Sequence, residues 1–284
     1  MKKVVIGIII GVVAVLIVAG WFFTFVKFRC NDGTFHGGCS ENKPYFCNDA
    51  LVEKASVCGC PKNFTIEGEE CFSEFNVGEK NVSLKYSFKD EEKEIDFVVY
   101  GEFYNYSKDI SRFIDYDSGE QPSRRDFKLN IVDNEIQKEM LMPLVVGIQN
   151  LAKDKKEQVE IARSLVQNIP YDFVKANLSL WAQAVSTKYP YEVLYDNLGV
   201  CGEKSDLLVI LLREIGYGTA IFYFPEKNHE GVGIKCSFFK DYRDSGYCYI
   251  ETTSLSLIND VGILNSLGGS EVFEVIEISD GEGF

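Results

Sequence analysis

Histidine is almost missing from this chain: of 284 residues only two are His, at positions 36 and 229. A histidine-based metal centre has little to work with, and any imidazole base must be one of these two. Basic residues are also few, 29 against 43 acidic ones, for a formal net charge of −14. Four of those 29 (Lys2, Lys3, Lys27, Arg29) lie in the first 29 positions and none of the acidic residues does, so the remainder is more acidic still. Such a body repels phosphate backbones, which argues against nucleic acid as a partner. Paired C-x-x-C spacing does not occur; the nearest approach is Cys58-Gly59-Cys60, so neither a metal nor a cofactor is expected. What the chain does have is apolar mass, 46% of residues against 25% charged, enough for one or two ordinary domains.

From Val4 to Val26 there is no charged residue. At about 1.5 Å per residue such a run spans a bilayer core of about 30 Å, and it exceeds the apolar part of a cleavable signal, usually about 7 to 15 residues. Residues 1–26 are therefore predicted to be a transmembrane anchor, with Lys2 and Lys3 inside and the body outside the cytoplasm. Six of the nine cysteines (Cys30, Cys39, Cys47, Cys58, Cys60, Cys71) fall within residues 27–71. An even, dense set directly after the apolar run reads as a disulfide module on the oxidising side, with its pairing left open. Sequons at Asn63, Asn81, Asn105 and Asn177 agree with that side.

Residues 72–133 read as a β-rich region. Asn81 to Phe88 and Glu94 to Tyr104 alternate around the charged turn from Lys89 to Lys93, a hairpin signal, and a polar loop follows from Asp115 to Arg125. Residues 134–284 begin helical, with apolar residues three to four apart from Asn134 to Leu151 and from Lys155 to Gln167, and again from Gly202 to Ile215. Pro143 should end or kink the first of these helices. Strand-like runs follow at Thr219 to Phe224, Val232 to Phe239, Tyr247 to Thr252 and Val272 to Ile278. Helices first and strands afterwards make an α+β arrangement.

Three cysteines lie beyond the module. Cys236 and Cys248 sit on successive strands and face each other if their hairpin centres on position 242, which makes a bridge sensible. Cys201 is then the odd one, placed where the turn Asn197-Leu198-Gly199-Val200 meets a helix. There the positive end of the helix dipole and the free N–H groups favour a thiolate, and Gly199 and Gly202 let a substrate carbonyl approach the backbone. A thiol nucleophile needs a base, and His229 is the only histidine in the same domain. Glu251 ends the neighbouring strand and could orient the ring. Placing His229 opposite Glu251 centres the hairpin on 240, so satisfying both pairs calls for a bulge near Gly231 or Gly233.

These residues carry a resemblance. Tyr189-Pro190-Tyr191-Glu192-Val193-Leu194, then Gly199-Val200-Cys201-Gly202-Glu203-Lys204-Ser205, Glu214-Ile215-Gly216-Tyr217, Asn228-His229 and Tyr249-Ile250-Glu251-Thr252-Thr253 resemble the transglutaminase-like superfamily over residues 134–284. The resemblance implies a papain-like core, helices packed on an antiparallel sheet. In it Cys201 is the nucleophile, His229 the base and Glu251 the orienting acid, where the family usually has Asp. Trp181 and Gln183, upstream of the cysteine, are open candidates for an oxyanion contact. The expected activity is hydrolysis of amide bonds in protein or peptide substrates at the cell surface or wall. Amide cross-linking by a transglutaminase and non-catalytic peptide binding are the competing readings.

Overall fold

The computed structural model describes residues 11, 13–15, 29–117, 119, 121–180, 186–237, 241–267 and 272–284. The chain divides into two compact units, Met1–Phe72 and Ser73–Phe284.

In the first unit, β1 (Tyr45–Asn48) and β2 (Ala50–Glu53) form a hairpin turning at Asp49, followed by the short helix α1 (Ala55–Cys58) and a second hairpin of β3 (Thr65–Glu67) and β4 (Glu70–Phe72). Among its described residues the buried apolar ones are few: Cys30, Tyr45, Cys47, Leu51 and Ala55. So small a core does not hold a chain closed alone. Three disulfides do so, Cys30–Cys47, Cys39–Cys58 and Cys60–Cys71. Together with a fourth in the second unit they point to an oxidising environment.

The second unit opens with a longer hairpin, β5 (Glu79–Phe88) and β6 (Glu91–Tyr100). Its turn is only Lys89-Asp90, both at positive φ, which matches the twist of the flanking strands, so β6 starts three residues earlier than the sequence suggests. Alternation buries Val82, Leu84 and Tyr86 with Phe97 and Val99. Helices follow: α2 (Gly101–Asp109), α3 (Arg124–Val132), α4 (Glu135–Leu151), α5 (Lys155–Asn168), α6 (Phe173–Leu180), α7 (Pro190–Asp196) and α8 (Cys201–Ile215). Four of them were not expected: α2 takes the end of the predicted second strand, α3 borders the polar loop, where Ser123 and Asp126 form a reciprocal N-terminal cap, and α6 and α7 fall in the stretch before Cys201 to which no element was assigned. Pro143 lies inside α4 and does not end it. Four strands complete the unit, β7 (Thr219–Phe224), β8 (His229–Lys235), β9 (Tyr247–Ile250) and β10 (Glu274–Ser279), in the antiparallel order β10-β7-β8-β9, with the short α9 (Val261–Ser266) between the last two in sequence. Helix α8, buried from Glu203 to Leu212, packs on β7 and β8.

The expected architecture, a papain-like α+β core behind a transmembrane helix, needs correction. The described chain is a mixed α/β structure with small sheets, three of two strands and one of four, and among the described residues no helix is long and apolar enough to cross a membrane. A span takes about 20 apolar residues. The longest described helix, α4, has 17 and carries Glu135, Lys138 and Glu139. Of the predicted anchor only residues 11 and 13–15 are described, as helix; the rest lies outside the described residues.

Candidate active site

Helix α8 starts where it does because Glu203 folds back to accept the Val200 N–H at 3.1 Å, closing the first turn around Cys201. A Cβ on Gly202 would stand 2.7 Å from Glu230 Oε2, so the carboxylate that accepts from Lys128 would have to shift. His229 opens β8 after a tight turn over Pro225–Lys227, with Asn228 in the left-handed region at φ 45°. Glu251 follows directly on β9.

The register of β8 on β9 pairs Val232 with Ile250, Gly233 with Tyr249 and Ile234 with Cys248. This lies midway between the two registers weighed from sequence, and the pairing is regular. No bulge is needed between these strands, because both functional pairs are diagonal neighbours: His229 with Glu251 on one face, Cys236 with Cys248 on the other. The latter pair is a disulfide, Cα–Cα 5.7 Å, and Cys201 is a free thiol.

The three predicted site residues meet. His229 Nε2 lies 2.9 Å from Glu251 Oε2, and the imidazole also hydrogen-bonds Cys201. With Nε2 held by the carboxylate, Nδ1 is the nitrogen left for the thiol. Glu251 is 4% exposed yet fully engaged. Its Oε2 also accepts from the Tyr249 hydroxyl at 2.9 Å, and its Oε1 accepts from Thr252 N (3.0 Å), Thr253 N (2.8 Å) and Thr253 Oγ1 (2.6 Å). The longer reach of Glu, compared with Asp, is thus fixed at both oxygens. Thr252 Oγ1 donates to the Cys201 carbonyl at 3.5 Å and lies 3.2 Å from Ser205 Oγ, tying the acid's strand end to the nucleophile's helix.

Charge follows the geometry. Burial pushes the Glu251 carboxyl up, but its bonds to His229 and to Thr253 prevail and hold it down at about 2. Burial lowers His229, and the bonds to Cys201 and Glu251 outweigh it, lifting the imidazole to about 10. At neutral pH the ring is therefore an imidazolium between the Glu251 carboxylate and the Cys201 sulfur.

Two residues that sequence reasoning passed over belong here. Tyr171 is joined to Gly199 by a β-bridge and its hydroxyl hydrogen-bonds Cys201; burial and the sulfur's negative charge push the phenol up to about 12, so it stays a donor. No periodicity flags it, since it stands in the irregular link between α5 and α6. Tyr249 was legible: it lies two residues before Glu251 and so shares its face. Gly231 makes room for it, as a Cβ there would sit 2.5 Å from the Tyr249 ring. Trp181 and Gln183 lie outside the described residues.

Cys201 and Tyr171 border an open cleft of about 410 Å³ that is also lined by Arg124, Lys175, Tyr223 and Lys227. Below it Lys128 Nζ donates to Asp206 Oδ1 at 2.9 Å and to Glu230 Oε2 at 2.5 Å, a buried charge cluster under Gly202. Among the described residues no group of three or more His, Cys, Asp or Glu side chains is placed to hold a metal ion. No family model and no curated protein matches the chain.

Proposed function

We propose that the second unit is a transglutaminase-like, cysteine-dependent acyl-transfer enzyme that hydrolyses amide bonds of protein or peptide substrates outside the cytoplasm. The observation that carries this reading is the hydrogen-bonded chain Cys201–His229–Glu251, whose cysteine lines an open cleft. In the first half-reaction the Cys201 sulfur attacks the scissile carbonyl, forming a C–S bond, and the carbonyl oxygen takes the negative charge. The first-turn N–H groups of α8 and the Tyr171 phenol are the donors that face that charge. The intermediate then collapses, the C–N bond breaks, and His229 gives its proton to the departing amine. In the second half, neutral His229 takes a proton from water as the oxygen attacks the thioester, and the C–S bond breaks to release the acid. Glu251 keeps the ring oriented and favours its charged form throughout; it does not itself carry the proton.

The test is acyl-enzyme formation. With p-nitrophenyl acetate the protein should release a burst of nitrophenolate close to one per chain, and intact-mass analysis should place one acetyl group on Cys201. Cys201→Ser should show neither. A wild-type burst that survives in Cys201→Ala, or no acetylation of Cys201 at any pH from 6 to 9, would remove the enzyme reading.

A further inference from the structure

A lysine is seldom buried completely unless an acid pairs with it. Lys204 is fully buried, and it lies near the start of α8, where the positive end of the helix dipole opposes a cation. Its ammonium meets backbone carbonyls in place of a carboxylate: it donates to Ile169 O at 2.6 Å and to Gln167 O at 3.3 Å. These oxygens belong to the carboxyl end of α5, whose last turn leaves carbonyls unpaired and carries partial negative charge. Burial lowers the ammonium to about 8 against the pull of Glu251, so at pH 7 it keeps its proton.

The segment held in this way serves the site twice. From the same turn Gln167 Nε2 donates to the Glu251 carbonyl at 2.8 Å, and two residues beyond Ile169 the Tyr171 phenol hydrogen-bonds Cys201. Gly199 N donates to Pro170 O at 3.3 Å and Asp172 N to Gly199 O at 3.1 Å, so the link runs beside the turn that precedes the nucleophile. The Lys204 stem closes on that turn as well: a Cβ on Gly199 would stand 3.3 Å from Lys204 Cγ. Lys204 thereby joins the helix that begins at Cys201 to the segment that carries Tyr171.

We propose that Lys204 is a positioning residue for acyl transfer: its ammonium, bound to the carbonyls at the end of α5, holds Tyr171 where the phenol meets the oxyanion formed at Cys201. The role rests on the acyl-transfer reading and adds to it a group that touches neither substrate nor sulfur. Methionine matches the unbranched stem but supplies no donor. With Met at position 204, residues 167–171 lose two of the bonds that fix them to α8 and Tyr171 loses its aim, while the bonds among Cys201, His229 and Glu251 remain.

The test is a double-mutant cycle of Lys204→Met with Tyr171→Phe on the full chain, read by two reactions of Cys201. Acetylation by p-nitrophenyl acetate passes through an oxyanion; alkylation by iodoacetamide does not. Lys204→Met should slow acetylation at least about tenfold and alkylation by less than about threefold. In the Tyr171→Phe background it should slow acetylation by less than about twofold further, because the group it aims is already gone. Lys204→Gln, which keeps a shorter neutral donor, should fall between wild type and Lys204→Met. A folded Lys204→Met that acetylates at the wild-type rate, an equal loss in both reactions, or losses that multiply with that of Tyr171→Phe overturn the positioning role and leave the nucleophile standing. Loss of the folded near-ultraviolet circular dichroism spectrum in both Lys204 variants assigns the residue to the fold alone and overturns the role too. A wild-type Cys201 that is alkylated but never acetylated overturns the acyl-transfer reading, and the role with it.

Discussion

Replacing Glu251 by Gln keeps the length and shape of the side chain and removes its charge. The carboxylate now receives five hydrogen bonds, from His229, Tyr249, Thr252 N and both donors of Thr253. An amide has one acceptor oxygen, so if that oxygen stays on the threonine donors its NH2 group confronts the N–H of His229 and the hydroxyl of Tyr249. The folded protein depresses the Glu251 carboxyl from 4.5 to about 2, and at about 1.4 kcal/mol per unit the ionised form contributes about 3 kcal/mol to stability. The rise of His229 from 6.5 to about 10 reflects Cys201 as well as Glu251, and is not added to this figure. The signs are opposite for the two partners. Glu251 contributes above pH 4.5 and loses its contribution as pH falls through about 2; His229 contributes below pH 6.5 and loses its contribution as pH rises through about 10. Glu251→Gln should therefore destabilise by about 3 kcal/mol near pH 7, and the deficit should shrink to below about 1 kcal/mol as the wild type is taken towards pH 2. Urea unfolding of both proteins at a series of pH values, followed by near-ultraviolet circular dichroism, reads the difference. A deficit under about 1 kcal/mol at pH 7, or one that stays constant down to pH 2.5, refutes the reasoning.

Tyr171→Phe should slow acetylation of Cys201 by p-nitrophenyl acetate at least about tenfold, yet change iodoacetamide alkylation by less than about threefold, because attack on a saturated carbon creates no oxyanion; stopped-flow and intact-mass kinetics separate the two. Lys128→Met leaves the Asp206 and Glu230 carboxylates buried without their cation and should destabilise by about 3 to 5 kcal/mol in urea. Cys236→Ser with Cys248→Ser opens a loop closed over 12 residues and should lose about 3 kcal/mol of unfolding free energy.

How much of this was legible in the sequence depends on the range of the interaction. Helix α8 announced itself by its leucines, and α5 by Val159, Ile161, Ala162 and Leu165, because a buried helical face has a local period. The first module's cysteines declared a bridged unit by number and density; their pairing needed coordinates, since spacing does not rank 15 alternatives. The β8–β9 register could not be read from one pair of residues, because His229/Glu251 and Cys236/Cys248 are offset from it in opposite directions and only the middle pairs, Val232–Ile250 to Lys235–Tyr247, reveal it. Tyr171 was hidden for a related reason: it reaches Cys201 across 30 positions through a single β-bridge, and nothing local marks such a contact. The cleft was invisible as well, its lining coming from α3, α6 and the β7–β8 turn, which stand far apart in the chain.

The central claim is that Cys201 is a nucleophile made reactive by His229. The most direct measurement is the rate of iodoacetamide alkylation of Cys201 as a function of pH, in wild type and in His229→Ala, with the site of modification assigned by peptide mass. Wild type should react readily at pH 6 to 7, His229→Ala should be at least about tenfold slower there, and the two should converge towards pH 9.5, where an unassisted thiol is mostly ionised. Identical profiles for the two proteins, or a Cys201 that stays inert at every pH below 9, would contradict it.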